Sequence, residues 1–279
     1  MIHEILIPTD GSEYSATAVE YGMYLASVFK ARLTGLSIID LKIIQGPLFD
    51  DISGFMGISP AQECLPLIER GLNERADGIL SDFEERCKKA GLTPVTKKIT
   101  GIVDEVIIRE GEKADLILLA QRGEHYPFAR GGLLGSTSEA VVRKAGKPVL
   151  ITPFTFREIR RVGLACDGST ASDRALHMAA GLCNETDWPL SALFVTGNQE
   201  RAEQMKRHIL SSADCRNVAC SVTVRDGKEE QEIIHFTKEG TIDLLVMGAY
   251  GHSRIRELIL GSTTSYVIRK SEIPVLMVR

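Results

Sequence analysis

The sequence predicts an α/β protein of two tandem units, each a five-stranded parallel sheet with helices on both faces. Three observations predict it. Short, apolar, β-rich runs alternate with segments of helical periodicity along the whole chain, as in successive βαβ units. The chain also repeats itself: Ile5-Leu6-Ile7-Pro8-Thr9-Asp10-Gly11-Ser12 matches Val162-Gly163-Leu164-Ala165-Cys166-Asp167-Gly168-Ser169 at an offset of 157. Finally, 279 residues correspond to about two domains at roughly 150 residues each.

The elements follow in order. In the first copy, strands are expected near 3–9, 33–39, 94–99, 115–120 and 148–152, with helices near 13–30, 60–90, 102–112 and 136–145. In the second, strands are expected near 160–166, 190–196, 219–225, 243–247 and 274–278, with helices near 170–184, 199–212, 229–239 and 262–271. Leu36-Ser37-Ile38-Ile39 against Leu193-Phe194-Val195-Thr196 keeps the offset of 157, whereas Asp115-Leu116-Ile117 against Asp243-Leu244-Leu245 stands at 128. The first copy therefore carries 29 extra residues between its second and fourth strands. Residues 40–60, with Gly46-Pro47, Gly54, Gly57 and Pro60, read as a long loop and a candidate lid. The sole sensible linker is 153–159, which bounds the units as 1–153 and 159–279. The last strands, Lys147-Pro148-Val149-Leu150-Ile151-Thr152 and Ile273-Pro274-Val275-Leu276-Met277-Val278, are apolar edges. An uncovered apolar edge invites pairing, so these two are expected to pair antiparallel as an internal pseudo-two-fold dimer.

Composition narrows the function. A net charge of −4, from 33 basic and 37 acidic residues, disfavours a nucleic-acid binder held by charge. No apolar run approaches the roughly 18–20 residues that span a bilayer, and Met1-Ile2-His3-Glu4-Ile5-Leu6 begins a strand rather than a signal peptide. Cys64, Cys87, Cys166, Cys183, Cys215 and Cys220 form no C-x-x-C pair, which fits reduced thiols in a cytoplasm. Cys215, Cys220 and His208 match no zinc spacing, and no metal ligand set is expected.

The chemistry lies after the fourth strand of each copy. In the second copy, Gly248-Ala249-Tyr250-Gly251 is followed after nine residues by Gly261-Ser262-Thr263. Glycines at a strand's carboxyl end let a backbone approach a ligand closely. The Gly-Ser-Thr helix start offers free N–H groups, hydroxyls and the positive end of a helix dipole, which together cradle phosphates. In the first copy Ala120-Gln121-Arg122-Gly123 replaces the opening glycine pair, and eleven residues separate Gly123 from Gly135-Ser136-Thr137. No P-loop and no G-x-G-x-x-G after the first strand is present, which disfavours P-loop ATPases and ordinary dinucleotide enzymes.

With G-x2-G-x9-G-[ST] between strand four and helix four, and Asp-Gly-Ser after strand one, the chain resembles a tandem universal stress protein over essentially all of its length. The resemblance implies a Rossmann-like, adenine nucleotide alpha hydrolase-like fold in each unit and ATP binding (or AMP or ADP) in the second. There it assigns Ala165 and Met247 to the pocket wall, Asp167 to the ribose or phosphate region and the Val195 backbone to the adenine edge. Gly248 and Gly251 lie under ribose and phosphates, and Gly261, Ser262 and Thr263 form the cradle. Onto the first copy it carries Pro8, Asp10, Ile38, Ala120, Gly123, Gly135, Ser136 and Thr137. Mg²⁺ is expected to bridge phosphates.

Bland readings stand beside these. The two opening glycines can serve a tight strand-to-helix connection, and Asp10 and Asp167 can serve as helix N-caps. His125 and His252 read as solvated loop residues, with no serine–carboxylate arrangement beside them. Glu84-Glu85-Arg86-Cys87-Lys88-Lys89 reads as a solvated helix face. In the first copy Arg122 and Arg130 are available to supply phosphate charge, and both an occupied and an empty or differently occupied first site stay open. The leading expectation is a cytoplasmic, ATP-binding stress-response regulator or nucleotide sensor with an unidentified regulatory protein partner, association of two chains being a further expectation. No catalytic residue is assigned: hydrolysis needs a positioned base and charge stabilisation of the transferring phosphoryl, for which His252 and Arg254 are uncommitted candidates. The rival classes are a slow ATP-hydrolysing enzyme and an interaction module without nucleotide.

Overall fold

A computed structural model describes residues 2–42, 61–123, 135–214, 217–249 and 260–279. The first half contains β1 (Glu4–Pro8), α1 (Glu13–Phe29), β2 (Arg32–Asp40), α2 (Ala61–Lys89), β3 (Val95–Gly101), α3 (Val103–Gly111), β4 (Leu116–Ala120), α4 (Ser136–Lys144) and β5 (Val149–Thr152). The second contains β6 (Val162–Cys166), α5 (Thr170–Thr186), β7 (Leu190–Val195), α6 (Gln199–Asp214), β8 (Cys220–Arg225), α7 (Glu229–Lys238), β9 (Leu244–Gly248), α8 (Ser262–Lys270) and β10 (Val275–Val278). Each expected strand and helix is present with ends shifted by a few residues. The helix expected to stop at 184 runs on to Thr186, because the left-handed residue that ends it is Asp187, at φ 58°. The expected 40–60 loop lies, from residue 43 on, outside the described residues.

All ten strands form one sheet in the order β3-β2-β1-β4-β5-β10-β9-β6-β7-β8. Pairing is parallel within each half, and β5 meets β10 antiparallel through Ile151↔Val275, Leu150↔Leu276 and Val149↔Met277. The expected internal pseudo-dimer is thus the observed one. The seam strands are buried on both faces, as their continuous apolar runs require.

Alternation along the strands divides the core in two. Ile5, Ile7, Leu118, Leu150, Leu164, Val246 and Leu276 face α1, α2 and α5, with Tyr21, Phe83 and Ala179 packed on them. Ile117, Leu119, Ile151, Leu245, Met247 and Val275 face α3, α4, α7 and α8, with Val142, Ile233 and Val267 packed on them. Both cores run across the seam. The linker is laced along α1: Thr17 Oγ1 donates to the Phe154 carbonyl at 2.8 Å, the Tyr21 hydroxyl accepts from the Arg157 N–H at 3.1 Å, and the Tyr24 hydroxyl donates to the Ile159 carbonyl. The charged run at the end of α2 is solvated through Lys88–Glu84 and Lys89–Glu85 ion pairs, while its Cys87 points into the core.

Candidate functional site

Parallel pairing brings the carboxyl ends of β6, β7 and β9 to the same side of the sheet, with Ala165 level with Met247 and Cys166 level with Phe194. Ala165 and Met247 are buried there, and Val195 is the half-buried last residue of β7. Beyond β6 the chain turns sharply at Gly168, whose φ of +79° suits glycine. The Asp167 carboxylate closes this turn by accepting the Ser169 N–H at 2.9 Å. Ser169 is the N-cap of α5, its hydroxyl accepting the Ser172 N–H at 3.2 Å. The first half repeats the device: Asp10 accepts from the Ser12 N–H at 3.0 Å and from the Ser12 hydroxyl at 2.6 Å, Gly11 lies at φ +77°, and Ser12 caps α1. Capping therefore belongs to Ser12 and Ser169, not to the aspartates. A carboxylate two residues ahead of the cap tightens the turn and leaves the cap to the hydroxyl.

Two matched pairs support these turns and were not foreseen. Arg75 on α2 donates to the Asp10 carbonyl at 3.2 Å, and Arg201 on α6 donates to the Asp167 carbonyl at 3.1 Å. A Cβ on Gly11 would meet Ile79, and one on Gly168 would meet Met205, each at 2.9 Å. In both halves an arginine and an apolar residue one turn on close over the loop after the first strand. Aligning α2 with α6 at an offset of 126 would have exposed the pair, but the first copy's insertion hides that alignment.

The glycines divide by what demands them. A Cβ on Gly248 would lie 2.9 Å from the Ala171 backbone carbon and 3.0 Å from the Ser172 nitrogen. Close packing of β9 against the first turn of α5 therefore requires that glycine. Ala120, its counterpart on β4, carries the methyl that Gly248 has no room for. Gly261 differs: it precedes α8 at φ −54° and ψ 144°, open to any residue, and among the described residues an added Cβ would find only Thr264 Oγ1, at 3.8 Å. Neither its backbone nor the described residues around it ask for glycine there. Gly261 and Ser262 are exposed and Thr263 half-buried, no side chain caps α8, and its first turn carries no acidic residue. Gly135, at φ −56° and ψ 135°, leads α4 in the same way, but α4 has Glu139 in its first turn. Gly251 lies outside the described residues, as do Tyr250, His252 and Arg254, and in the first half His125 and Arg130.

In the first half a Cβ on Gly123 would lie 3.1 Å from Asp10 Oδ2, so the structure does bring these two predicted residues together. Pro8 ends β1, Ile38 lies within β2, and Ser136-Thr137 open α4. Arg122 stands over the Tyr14 ring at 5.9 Å and donates to its hydroxyl at 3.4 Å. Gln121 was not singled out by the sequence, yet its buried amide reaches two carbonyls at the end of α8, Ile268 and Ser271, at 2.8 Å each.

Two other features bear on chemistry. Burial pushes the Cys166 thiol, beside Asp167, far above its ordinary range and raises Cys183 to about 12, so neither is a thiolate nucleophile at neutral pH. A cavity of about 350 Å³ opens between α1 and α2, lined by Thr9, Ser15, Arg75, Ile79 and Arg86. It faces away from the cradle helices, and its Thr9, Ser15, Arg75 and Arg86 are bonded within the protein. No helix among the described residues is long and apolar enough to cross a membrane.

Comparison with known proteins adds a family context. The model of the universal stress protein family matches residues 1–153 and 197–279. Universal stress protein Slr1230 of Synechocystis is 31% identical over 288 residues, covering 99% of both chains. Universal stress protein MJ0577 of Methanocaldococcus jannaschii is 38% identical over 155 residues, covering 54% of this chain and 94% of its own. The crystal structure of a universal stress protein from Archaeoglobus fulgidus superposes with a TM-score of 0.78 at 24% identity, over 99% of this chain and 96% of the other, a likeness of fold.

Proposed function

The chain belongs to the universal stress protein family, and from that premise we propose that it binds an adenine nucleotide, ATP foremost, in its second half. The observation that carries this reading is Gly261. It is a glycine that neither its own backbone nor the described residues around it require, at the start of α8, where no side-chain cap and no first-turn acidic residue is found among the described residues. A closely approaching ligand is a reason for a missing Cβ there, and an anion suits N–H groups at a helix start.

In this reading the N–H groups and hydroxyls of Ser262 and Thr263, with Gly261, hold the phosphates. Asp167 meets the ribose region, the Val195 backbone meets the adenine edge, and Ala165 and Met247 wall the pocket. Gly248 and Gly251 bring the β9 loop beneath. Mg²⁺, where present, would neutralise phosphate charge beside the Gly261-Ser262-Thr263 cradle. The protein acts as a binder and stress-response regulator in the cytoplasm, through a protein partner, rather than as an efficient enzyme. The two units are 1–153 and 159–279. A slow ATPase is the second reading, tested by turnover of purified protein under excess Mg²⁺. An interaction module without nucleotide is the third.

The first half is the weaker site. Glu139 opposes an anion at the start of α4, where α8 carries no acidic residue. The first half also has Ala120 in place of the opening glycine and a loop two residues longer, and a cradle depends on donors placed to within about half an ångström. Calorimetric titration with ATP is expected to show one tight site, with the first site weak, empty or taking another small ligand. Gly261→Val, in a backbone conformation valine accepts and with no described atom nearer than 3.8 Å to the added Cβ, should abolish the tight site without unfolding the chain. Unchanged ATP affinity in that variant would remove the assignment, and two equal tight sites would remove the asymmetry.

A further inference from the structure

Gln121 is bonded to both of the glycine-led helices. Its carbonyl accepts the N–H of Gly135, the N-cap of α4, at 3.1 Å, and its own N–H donates to the Thr152 carbonyl on the seam strand at 3.0 Å. Its side chain crosses the seam, and Nε2 donates to the Ile268 and Ser271 carbonyls at 2.8 Å each. The last carbonyls of a helix have no partner within it, and an amide with two donors is suited to holding a pair of them. Ser271, the C-cap of α8, is fixed in turn by its N–H to the Val267 carbonyl and its hydroxyl to the Ile273 carbonyl. Gln121, Ile268 and Ser271 are all at least nine-tenths buried, so the bonds are shielded from water. The matching residue of the second half is Ala249, whose methyl donates nothing. At the matching end of α4 the second half supplies a different group: Arg279 donates to the Lys144 carbonyl at 3.3 Å, an exposed contact, whereas the Gln121 clamp on α8 is buried.

Resting on the nucleotide reading above, we propose that Gln121 is a positioning residue for the second site: it fixes α8 from behind, and so sets where the N–H groups of Ser262 and Thr263 meet the phosphates. A nine-residue helix is about 13 Å long and moves as a rod, so freedom at its carboxyl end becomes displacement at its amino end. The phosphate affinity of the second half then depends on a residue of the first.

The test separates positioning from plain stability by comparing ATP with adenosine, which lacks the phosphates that reach α8. Calorimetry on the full-length Gln121→Met protein, below its unfolding temperature, is expected to show ATP affinity lowered about tenfold with adenosine affinity unchanged. Gln121→Asn keeps an amide one methylene short of the carbonyls and should show the same selective loss; it carries the test alone should the Met variant not fold. Unchanged ATP affinity in a folded variant, or equal losses for ATP and adenosine, would overturn the proposal while leaving the nucleotide reading intact. A wild-type chain that binds neither compound overturns the functional reading itself, and this inference with it.

Discussion

Glu110 sits in the last turn of α3 with 6% of its side chain exposed, where the helix dipole opposes a carboxylate. Lys113 Nζ at 2.8 Å and Lys97 Nζ at 2.9 Å offset that opposition and hold its carboxyl down at about 2, against an ordinary 4.5. The folded value is depressed, so the stabilisation is present above about pH 4.5 and is lost as pH falls toward 2. Because Lys113 and Lys97 are 63% and 35% exposed, screening limits its size to about 1–2 kcal/mol. Glu110→Gln should lower stability to urea by that amount at pH 7, and the gap from wild type should close on acidification through this window. A gap indifferent to pH would assign the effect to packing. Asp115 and Asp243 are a second case at this scale. The repeat marks both, and the structure gives them one task. Asp115 accepts the N–H groups of His3 and Glu4 where β1 begins, and Asp243 accepts that of Arg160 and a two-pronged pair from Arg161 before β6. The match was legible in the sequence; its meaning, anchoring the first strand of each half, needed the partners.

Helix and strand spans were legible because each depends on neighbours a few residues away: apolar period, and Gly168 and Gly11 at the turns. The caps are expected at Asp10 and Asp167, two residues ahead of Ser12 and Ser169, whose hydroxyls do the capping. Fit between elements was not legible, and two helical glycines show why. Alanine in place of a helix-interior glycine ordinarily gains about 1 kcal/mol. In α1 a Cβ at Gly22 would lie 2.1 Å from Ile7 Cδ1 and 3.5 Å from Leu118 Cδ2, against strands already fully buried. Overpacking of this kind costs about 1–3 kcal/mol, so Gly22→Ala is expected to lower Tm. In α5 nothing lies within 4 Å of the same atom at Gly181, and Gly181→Ala should raise Tm by the propensity gain alone. Thermal unfolding of both variants decides the point, and equal signs would show that α1 and the sheet adjust more freely than their packing indicates.

For the whole molecule, the seam decides cooperativity. Leu276 is 2% exposed opposite Leu150, and truncating such a side chain costs about 2–5 kcal/mol. Trp188 of the second half packs edge-on against Phe29 of the first, ring centroids 6.2 Å apart, so its fluorescence reports on the joined state. Leu276→Ala is expected to shift the loss of Trp188 signal and of helical circular dichroism together to lower denaturant. Two separated transitions would show the halves to be independent. The antiparallel seam could be foreseen, because an exposed apolar last strand on each unit needs a partner. Gln121 could not: its partners lie 147 and 150 residues away, and a buried glutamine in a strand-end loop has no local pattern that points to them. The bonds from Arg75 and Arg201 to the loop carbonyls span 65 and 34 residues and have no local pattern either.

When two identical chains meet across a symmetric seam, every substitution is made twice, and neither partner can hold what the other lacks. Here both partners lie on one chain, joined by a linker lacquered onto α1, so the opposing positions are inherited separately. Gln121 bonds a helix end with a side chain that Ala249 lacks, and Ala120 keeps a methyl where Gly248 cannot. Covalent fusion turns a symmetric pair into one with a front and a back, and fixes their ratio at one to one in every molecule made.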